Sequence, residues 1–218
     1  MKKRSEILKI TIDSPAAAGA GTQAKLIGKY YNLMVLDTGR CYRYVAYIKI
    51  TEPLKYNYKY IKKKIDKLKM KDLQNKKLSS DKVATVASII AKDKKIRKLV
   101  HAFQLECAYN PPKKYNGSCL DGRDIGSVVV KSADVKFYIT ANVKVRAMRR
   151  FKELKAKNKQ ITYQEVLKSI KKRDKSDKNR KISPLKKTKD MYLINSSSES
   201  ISSCFTKIKK IIDRNINN

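Results

Sequence analysis

Residues 7–43 read ILKITIDSPAAAGAGTQAKLIGKYYNLMVLDTGRCYR, and the order of patterns in this stretch decides the fold. The β-branched run ILKITI (7–12) predicts a strand that ends at Asp13 in a small-residue loop, SPAAAGAGT. QAKLIGKYY (23–31) predicts a helix and LMVL (33–36) a second short strand, after which Asp37 or Thr38 can cap a new helix. Strand, glycine-containing turn and helix in succession make an anion cradle. Unpaired backbone N–H groups and the positive end of the helix dipole then point at one place. Gly19, Gly21 and Thr22 suit that task. The general phosphate-loop pattern G-x-x-x-x-G-K plus a hydroxyl is met only in part, since Ser14 stands at the first glycine and Ala20 at the lysine.

Outward from this stretch the alternation continues. Between Val83 and Cys107 the apolar positions Val83, Val86, Ala87, Ile90, Ile96, Leu99, Val100 and Phe103 fit helical spacing, with a break near Asp93. GSCLDGRDIGSVVV (117–130) predicts a strand ending at Leu120, then Asp121, Arg123 and Asp124 on a glycine-bounded loop. VKFYITA (135–141) predicts a strand and VRAMRRFKELKAKNK (145–159) a charged helix. TYQEVLKSIKKRDKSDKNR (162–180) predicts a helix running into a basic loop, and DMYLINS (190–196) a last strand. Ile201, Phe205, Ile208 and Ile212 form the inner face of a C-terminal helix. Strands alternating with helices predict an α/β fold whose parallel sheet is covered on both faces, with ligands outside the carboxyl ends of the strands. Residues 51–82 are dominated by Lys and Tyr. Tyr56, Tyr58 and Tyr60 could stack bases, but beside so many lysines they predict a small surface subdomain instead.

At 218 residues the chain is sized for one compact unit. Hydrophobic residues make up 41% and the mean hydropathy is −0.58. No uncharged apolar run approaches the ~18 residues of a membrane span. The basic start MKKRSEILKITIDS holds Lys9 in its apolar stretch and lacks a small-residue cleavage site, so it reads as a first strand and not a secretion signal. Four cysteines (Cys41, Cys107, Cys119, Cys204) without a C-x-x-C, and a single histidine, His101, encode neither a zinc site nor a disulfide framework. They predict free thiols in a reducing cytoplasm. The net charge of +34 is spread as lysine over nearly every segment, which predicts weak polyanion association and no specific nucleic-acid partner. Of 53 basic residues only 11 are arginine. Arg43, Arg97, Arg123, Arg146, Arg149, Arg150, Arg173 and Arg180 fall in short clusters with Asp, Ser, Tyr and Gly, where a planar fork grips phosphate or carboxylate in two places.

Taken together, IDSPAAAGAGT, LDTGRCYR, DGRDIG and RDKSDKNRKISPL resemble, in order, content and spacing, the bacterial cytidylate kinase family. That family shows D-G-P-x-x-x-G-K-G-T, L-D-[S or T]-G-x-x-Y-R, D-G-R-D-x-G-T and R-D-x-x-D-x-N-R, with A-P-L just beyond. An adenylate kinase would show G-F-P-R in place of the third motif. The resemblance implies a P-loop nucleoside monophosphate kinase of one domain over 1–218. Its core would comprise 1–45, 83–145 and 176–218, with a monophosphate-binding insert at about 46–82 and a lid at about 146–175. It implies transfer of the ATP γ-phosphoryl to CMP or dCMP, with Mg²⁺, in a cytoplasmic monomer without membrane attachment.

By the same resemblance, Ser14, Pro15, Ala16, Ala17, Ala18, Gly19, Ala20, Gly21 and Thr22, with Arg146, would bind ATP. Thr22 and Asp121 would stand near the metal. Asp37, Thr38, Tyr42, Arg43, Ser88, Arg97, Arg123, Asp124, Asp177 and Arg180 would bind CMP, with Asp177 on the ribose and Ser88, Arg97 and Asp124 on the cytosine edge. Arg123, Arg149, Arg150, Arg173 and Arg180 would be catalytic. Three positions depart from the family: Ser14 for glycine, Ala20 for the P-loop lysine, and Ser176 for an arginine often found in the fourth motif. The insert is also shorter and richer in lysine. Arg149, Arg150 and Lys25 are the cations that could replace the missing charge. Two other readings stand beside an active kinase, a nucleotide-binding relative without turnover and a basic nucleic-acid-binding protein.

Overall fold

The computed structural model describes residues 7–156 and 160–217. β1 (Leu8–Asp13), β2 (Met34–Asp37), β3 (Gly117–Gly122), β4 (Val135–Thr140) and β5 (Tyr192–Asn195) form one sheet in the order β2-β3-β1-β4-β5. All pairings are parallel, as the alternating pattern predicts. β1 sits at the centre with Ile10 and Ile12 fully buried, which accounts for its continuous apolar character.

Successive strand residues point to opposite faces, so neighbouring residues serve different cores. Cys119 of β3 joins a cluster with Ile12, Phe137 and Ile139, closed by Ile27 of α1 (Ala20–Tyr31) and by Ile208 and Ile212 of α8 (Ile201–Asn217). Leu120 joins the other. There Leu36, Val45, Ile61, Val100 and Ile125 pack among α2 (Gly39–Thr51), α3 (Tyr58–Asp66), α4 (Asp81–Ile90) and α5 (Lys94–Tyr109). A third, small cluster of Ala147, Leu154, Val166 and Ile170 holds α6 (Val143–Lys155) against α7 (Tyr163–Asn179).

Element ends depart from the sequence expectation for tertiary reasons. β3 extends past Leu120 to Gly122 because Asp121 and Gly122 pair with Ile12 and Asp13 of β1. Asp121 therefore belongs to the sheet's rim and not to a loop. α1 starts at Ala20, ahead of the expected Gln23, on the left-handed Gly19. Thr38 occupies the N-cap position of α2 without capping it, since its hydroxyl donates to the Asp121 carbonyl (2.7 Å); Asp37 accepts the Gly39 N–H instead (3.0 Å). α6 starts at Val143, capped by Asn142. Residues 157–159 of the helix expected there, and residues 1–6 with Arg4, lie outside the described residues. The break near Asp93 is real: its carboxylate caps α5 through the amides of Lys95 and Ile96. In the lysine-rich segment Tyr56 and Tyr60 pack inward on the core while Tyr58 is exposed. Among the described residues no helix is long and apolar enough to cross a membrane.

Candidate active site

The carboxyl end of β1 is the sheet's switch point, with β3 on one side and β4 on the other, where a doubly wound fold leaves its crevice. The 14–19 loop rises from it. Gly19, at φ 91°, turns the chain into α1, a conformation that favours glycine. Ala17 holds φ 60° with its methyl against the α6–α7 cluster. The first intrahelical bond is Gln23 N–H to Gly19 carbonyl. The amides of Ala20, Gly21 and Thr22 are therefore the unpaired first-turn donors that an anion can use. Ala20 itself is buried, and Thr22 is exposed in the opening turn.

Asp13, to which no function is assigned from sequence, ties the loop's base to the DGRDIG turn. Its carboxylate accepts from the amides of Ile125 (2.6 Å), Gly126 (3.4 Å) and Ser127 (3.1 Å). Burial nonetheless pushes it up to about 6. Gly122 allows the neighbouring strand ends to close: a Cβ there would stand 2.3 Å from Thr38 Oγ1.

Asp121 faces the start of α1, where a Cβ on Gly21 would lie 3.7 Å from its Oδ2. Its Oδ1 is buried without a hydrogen-bond partner. Burial and the neighbouring Asp37 push this carboxyl up to about 8, against the pull of Arg123 and Lys25. Two crowded carboxylates with an orphaned oxygen beside a hydroxyl and free amides suit a hard divalent cation that arrives with phosphates.

Opposite this rim stands a cluster of arginines. Arg123 donates through Nε to Asp177 (2.8 Å), and Arg173 Nε lies 3.8 Å from the same carboxylate. Arg123 foremost, with burial, Arg43 and Arg150 adding, pushes Arg173 down to about 10 although Asp177 opposes it. Arg43 donates to the Leu78 carbonyl (3.0 Å) and is lowered by burial. Arg43, Arg123, Arg150 and Arg173 gather against their mutual repulsion, a setting that suits an anion. Asp177 is thus committed to arginines here. Arg40, which the sequence leaves without a role, braces the insert through the Leu73 carbonyl (3.0 Å) and Ser79 (3.1 Å).

At the far end Asp124 is buried between Arg97, with which it forms an ion pair, and Arg180, whose Nη2 lies 3.2 Å from Oδ1. That Nη2 lacks an aligned hydrogen bond, and Arg180 Nε donates to the Ser183 carbonyl (2.5 Å). Arg97 also bonds the Ala91 carbonyl (2.9 Å) and meets His101 Nε2 at 3.1 Å, while its guanidinium lies over the Tyr42 ring at 5.6 Å. The structure does not bring Ser88 into this group: it is on the exposed side of α4, its hydroxyl donating to its own helix at Thr85 (2.7 Å).

α6 presents three arginines. Arg146 is buried, bidentate with Asp174 (3.1 and 2.6 Å), and donates to the carbonyls of Ala16 (3.1 Å) and Ala141 (2.8 Å). Arg149 grips Ser196 at its hydroxyl (3.0 Å) and carbonyl (2.6 Å), and that hydroxyl donates to Ala18 (2.9 Å). Arg150 bonds Glu153 (2.8 Å) and approaches Asp81 (3.7 Å) across the cleft. Asp174 and Ser196 were not singled out in the sequence, although Asp174 lies inside RDKSDKNR.

Residues 10–214 match the family model described as cytidylate kinase. The cytidylate kinase of Bartonella henselae is 42% identical over 208 residues, covering 94% of each chain. That of Clostridium botulinum strain Langeland is 39% identical over 222 aligned positions, covering 95% of this chain and 98% of the relative. Among solved structures, an uncharacterized protein from Eubacterium ventriosum ATCC 27560 superposes with a TM-score of 0.56 at 14% identity, over 94% of this chain and 98% of that one. This last likeness bears on the fold alone.

Proposed function

The chain belongs to the cytidylate kinase family and is an ATP-dependent (d)CMP kinase, and on that premise we propose how its residues divide the work. The 14–22 loop takes the donor phosphates on its free amides. Arg43, Arg123 and Arg173, cations already crowded together, hold the acceptor phosphate and bridge to the donor, joined by Arg180 from its place beside Asp124. Asp124, fixed by Arg97 and Arg180, accepts from the exocyclic amine of cytosine. Asp177 turns part of its hydrogen bonding to the ribose.

Residues 46–82 form the monophosphate-binding insert. The α6–α7 pair, with its own small core, is the lid that excludes water. Mg²⁺, held through Asp121 and Thr22, would neutralise charge on the transferring oxygens. One chain holds the whole site, which fits a monomer, and its four buried free thiols fit the cytoplasm and its nucleotide metabolism.

The buried Asp124 between two arginines is the observation that carries the acceptor assignment. A coupled ADP-release assay with Mg·ATP and each nucleoside monophosphate tests the reaction. Turnover is expected with CMP or dCMP, and failure with CMP, dCMP and UMP at high enzyme concentration would sink it. Asp124→Asn and Arg97→Ala should weaken CMP more than ATP, by about 1–3 kcal/mol per lost charged hydrogen bond. Equal loss for both substrates would remove the assignment.

A further inference from the structure

Ala20 leaves the phosphate loop without a side-chain cation, yet charge builds on the phosphoryl oxygens during transfer and must be met. The arginines of α6 are engaged elsewhere. Arg146 is held by four hydrogen bonds to Asp174, Ala16 and Ala141, Arg149 by Ser196, and Arg150 by Glu153 and Asp81. Lys25 is different. It is exposed and, among the described residues, has neither a hydrogen bond nor an ion pair.

Its place on α1 directs it to the site. Gly21 and Lys25 are four residues apart and share a helix face, and the Gly21 end of that face looks toward Asp121, whose Oδ2 would lie 3.7 Å from a Cβ placed on Gly21. Helical side chains lean toward the N-terminus, so a lysine stem at this place can extend back along the face toward Gly21 and the loop. Gly21 has no side chain to obstruct it.

We propose that Lys25 supplies, from one turn further along α1, the positive charge toward the β- and γ-phosphates that Ala20 cannot. The proposal rests on the kinase reading. In the step it serves, an oxygen of the acceptor monophosphate forms the new bond to Pγ as the bond from Pγ to the β–γ bridging oxygen breaks. The electron pair stays on ADP, and no proton need move between dianionic CMP and ATP.

The test uses the full chain with Lys25→Met, which keeps the stem and removes the charge, and Lys25→Arg. Lys25→Met should lower kcat by about 30-fold or more, with KM for CMP within about twofold and an unchanged melting temperature, as for an interaction made with the transferring group. Lys25→Arg should restore most of the loss. Affinities for ATP and ADP should fall by about threefold or more while that for AMP, lacking a β-phosphate, holds. Ala20→Lys should raise kcat by less than about tenfold in the wild type and by more than about tenfold in Lys25→Met, since two cations serving one purpose are not additive. A kcat of Lys25→Met within about threefold of wild type, or an equal effect of Ala20→Lys in both backgrounds, overturns the proposal. If the wild type phosphorylates no monophosphate, the kinase reading fails, and the comparison of ATP and ADP with AMP still decides Lys25: unchanged ATP affinity overturns it.

Discussion

Arg97 is 3% exposed, and a guanidinium so buried needs an acceptor for each donor it turns inward. Asp124 and the Ala91 carbonyl supply two, His101 Nε2 at 3.1 Å supplies a third only while the ring is neutral, and Nε is already buried without a partner. Burial first, and the Arg97 and Arg180 charges after it, push His101 below its ordinary 6.5, with Asp124 pulling the other way. Below pH 6.5 the unfolded chain takes up a proton that the native ring refuses, so this group's contribution to stability declines as pH falls. Asp13 has the opposite sign. Its native carboxyl holds a proton between its ordinary 3.8 and about 6, so its contribution declines as pH rises through that window. His101→Gln isolates the first effect. The stability advantage of wild type over the variant should shrink as pH drops from 6.5 toward 5, by no more than about 1.4 kcal/mol per pH unit, in urea titrations at each pH. KM for CMP should rise over the same interval in wild type and stay flatter in the variant. Parallel pH profiles would mean that the ring does not position Arg97.

At the scale of elements, α6 and α7 share only a small apolar cluster, and polar contacts join them to the phosphate loop. Arg146 is the chief of these, 5% exposed and paired bidentately with Asp174. Asp174→Ala strands a buried cation and should destabilise the protein by about 3 kcal/mol, whereas adding Arg146→Met should recover part of that loss. Strictly additive losses in denaturant titrations would show that the pair is not a unit. The elements themselves were largely legible, because strand runs such as ILKITI and the α8 stripe Ile201, Phe205, Ile208 and Ile212 are local signals. Their ends were not, wherever register decided. Asp121 joins β3 because it pairs with Ile12 of β1 and Asp37 of β2, and Thr38 forgoes capping because the Asp121 carbonyl lies across from it. The site divides in the same way. Asp124, Arg97 and Arg180, named by the resemblance, lie together, while Asp13, Asp174 and Ser196 take partners about 110, 28 and 178 residues away, pairings that no local pattern encodes. Ser88 shows the converse, a position that the resemblance puts on the cytosine edge and the fold leaves facing its own helix.

For the whole molecule, a net charge of +34 on 218 residues sets two opposed responses to salt. Lys55 and Lys62 stand on exposed faces beside Glu52 and Asp66, but 19 acidic residues cannot partner 53 basic ones. Such excess repels itself, so screening should stabilise the fold. Both substrates are anions drawn toward the arginine cluster through the same field, so screening should slow their capture. Raising KCl from about 20 to 300 mM shrinks the screening length from roughly 20 Å to under 10 Å. Over that range the melting temperature should rise while kcat/KM for CMP falls and kcat changes little, since encounter is screened and the closed site is not. Polynucleotide association obeys the same field without the site. It should be sequence-blind at low salt and largely gone by the upper end of the range, as diffuse phosphate contacts require. Filter binding with RNA and DNA of several sequences reads this directly. Tight binding of one sequence that survives 300 mM KCl would require a built nucleic-acid surface, and the spread of lysine over nearly every element argues against one.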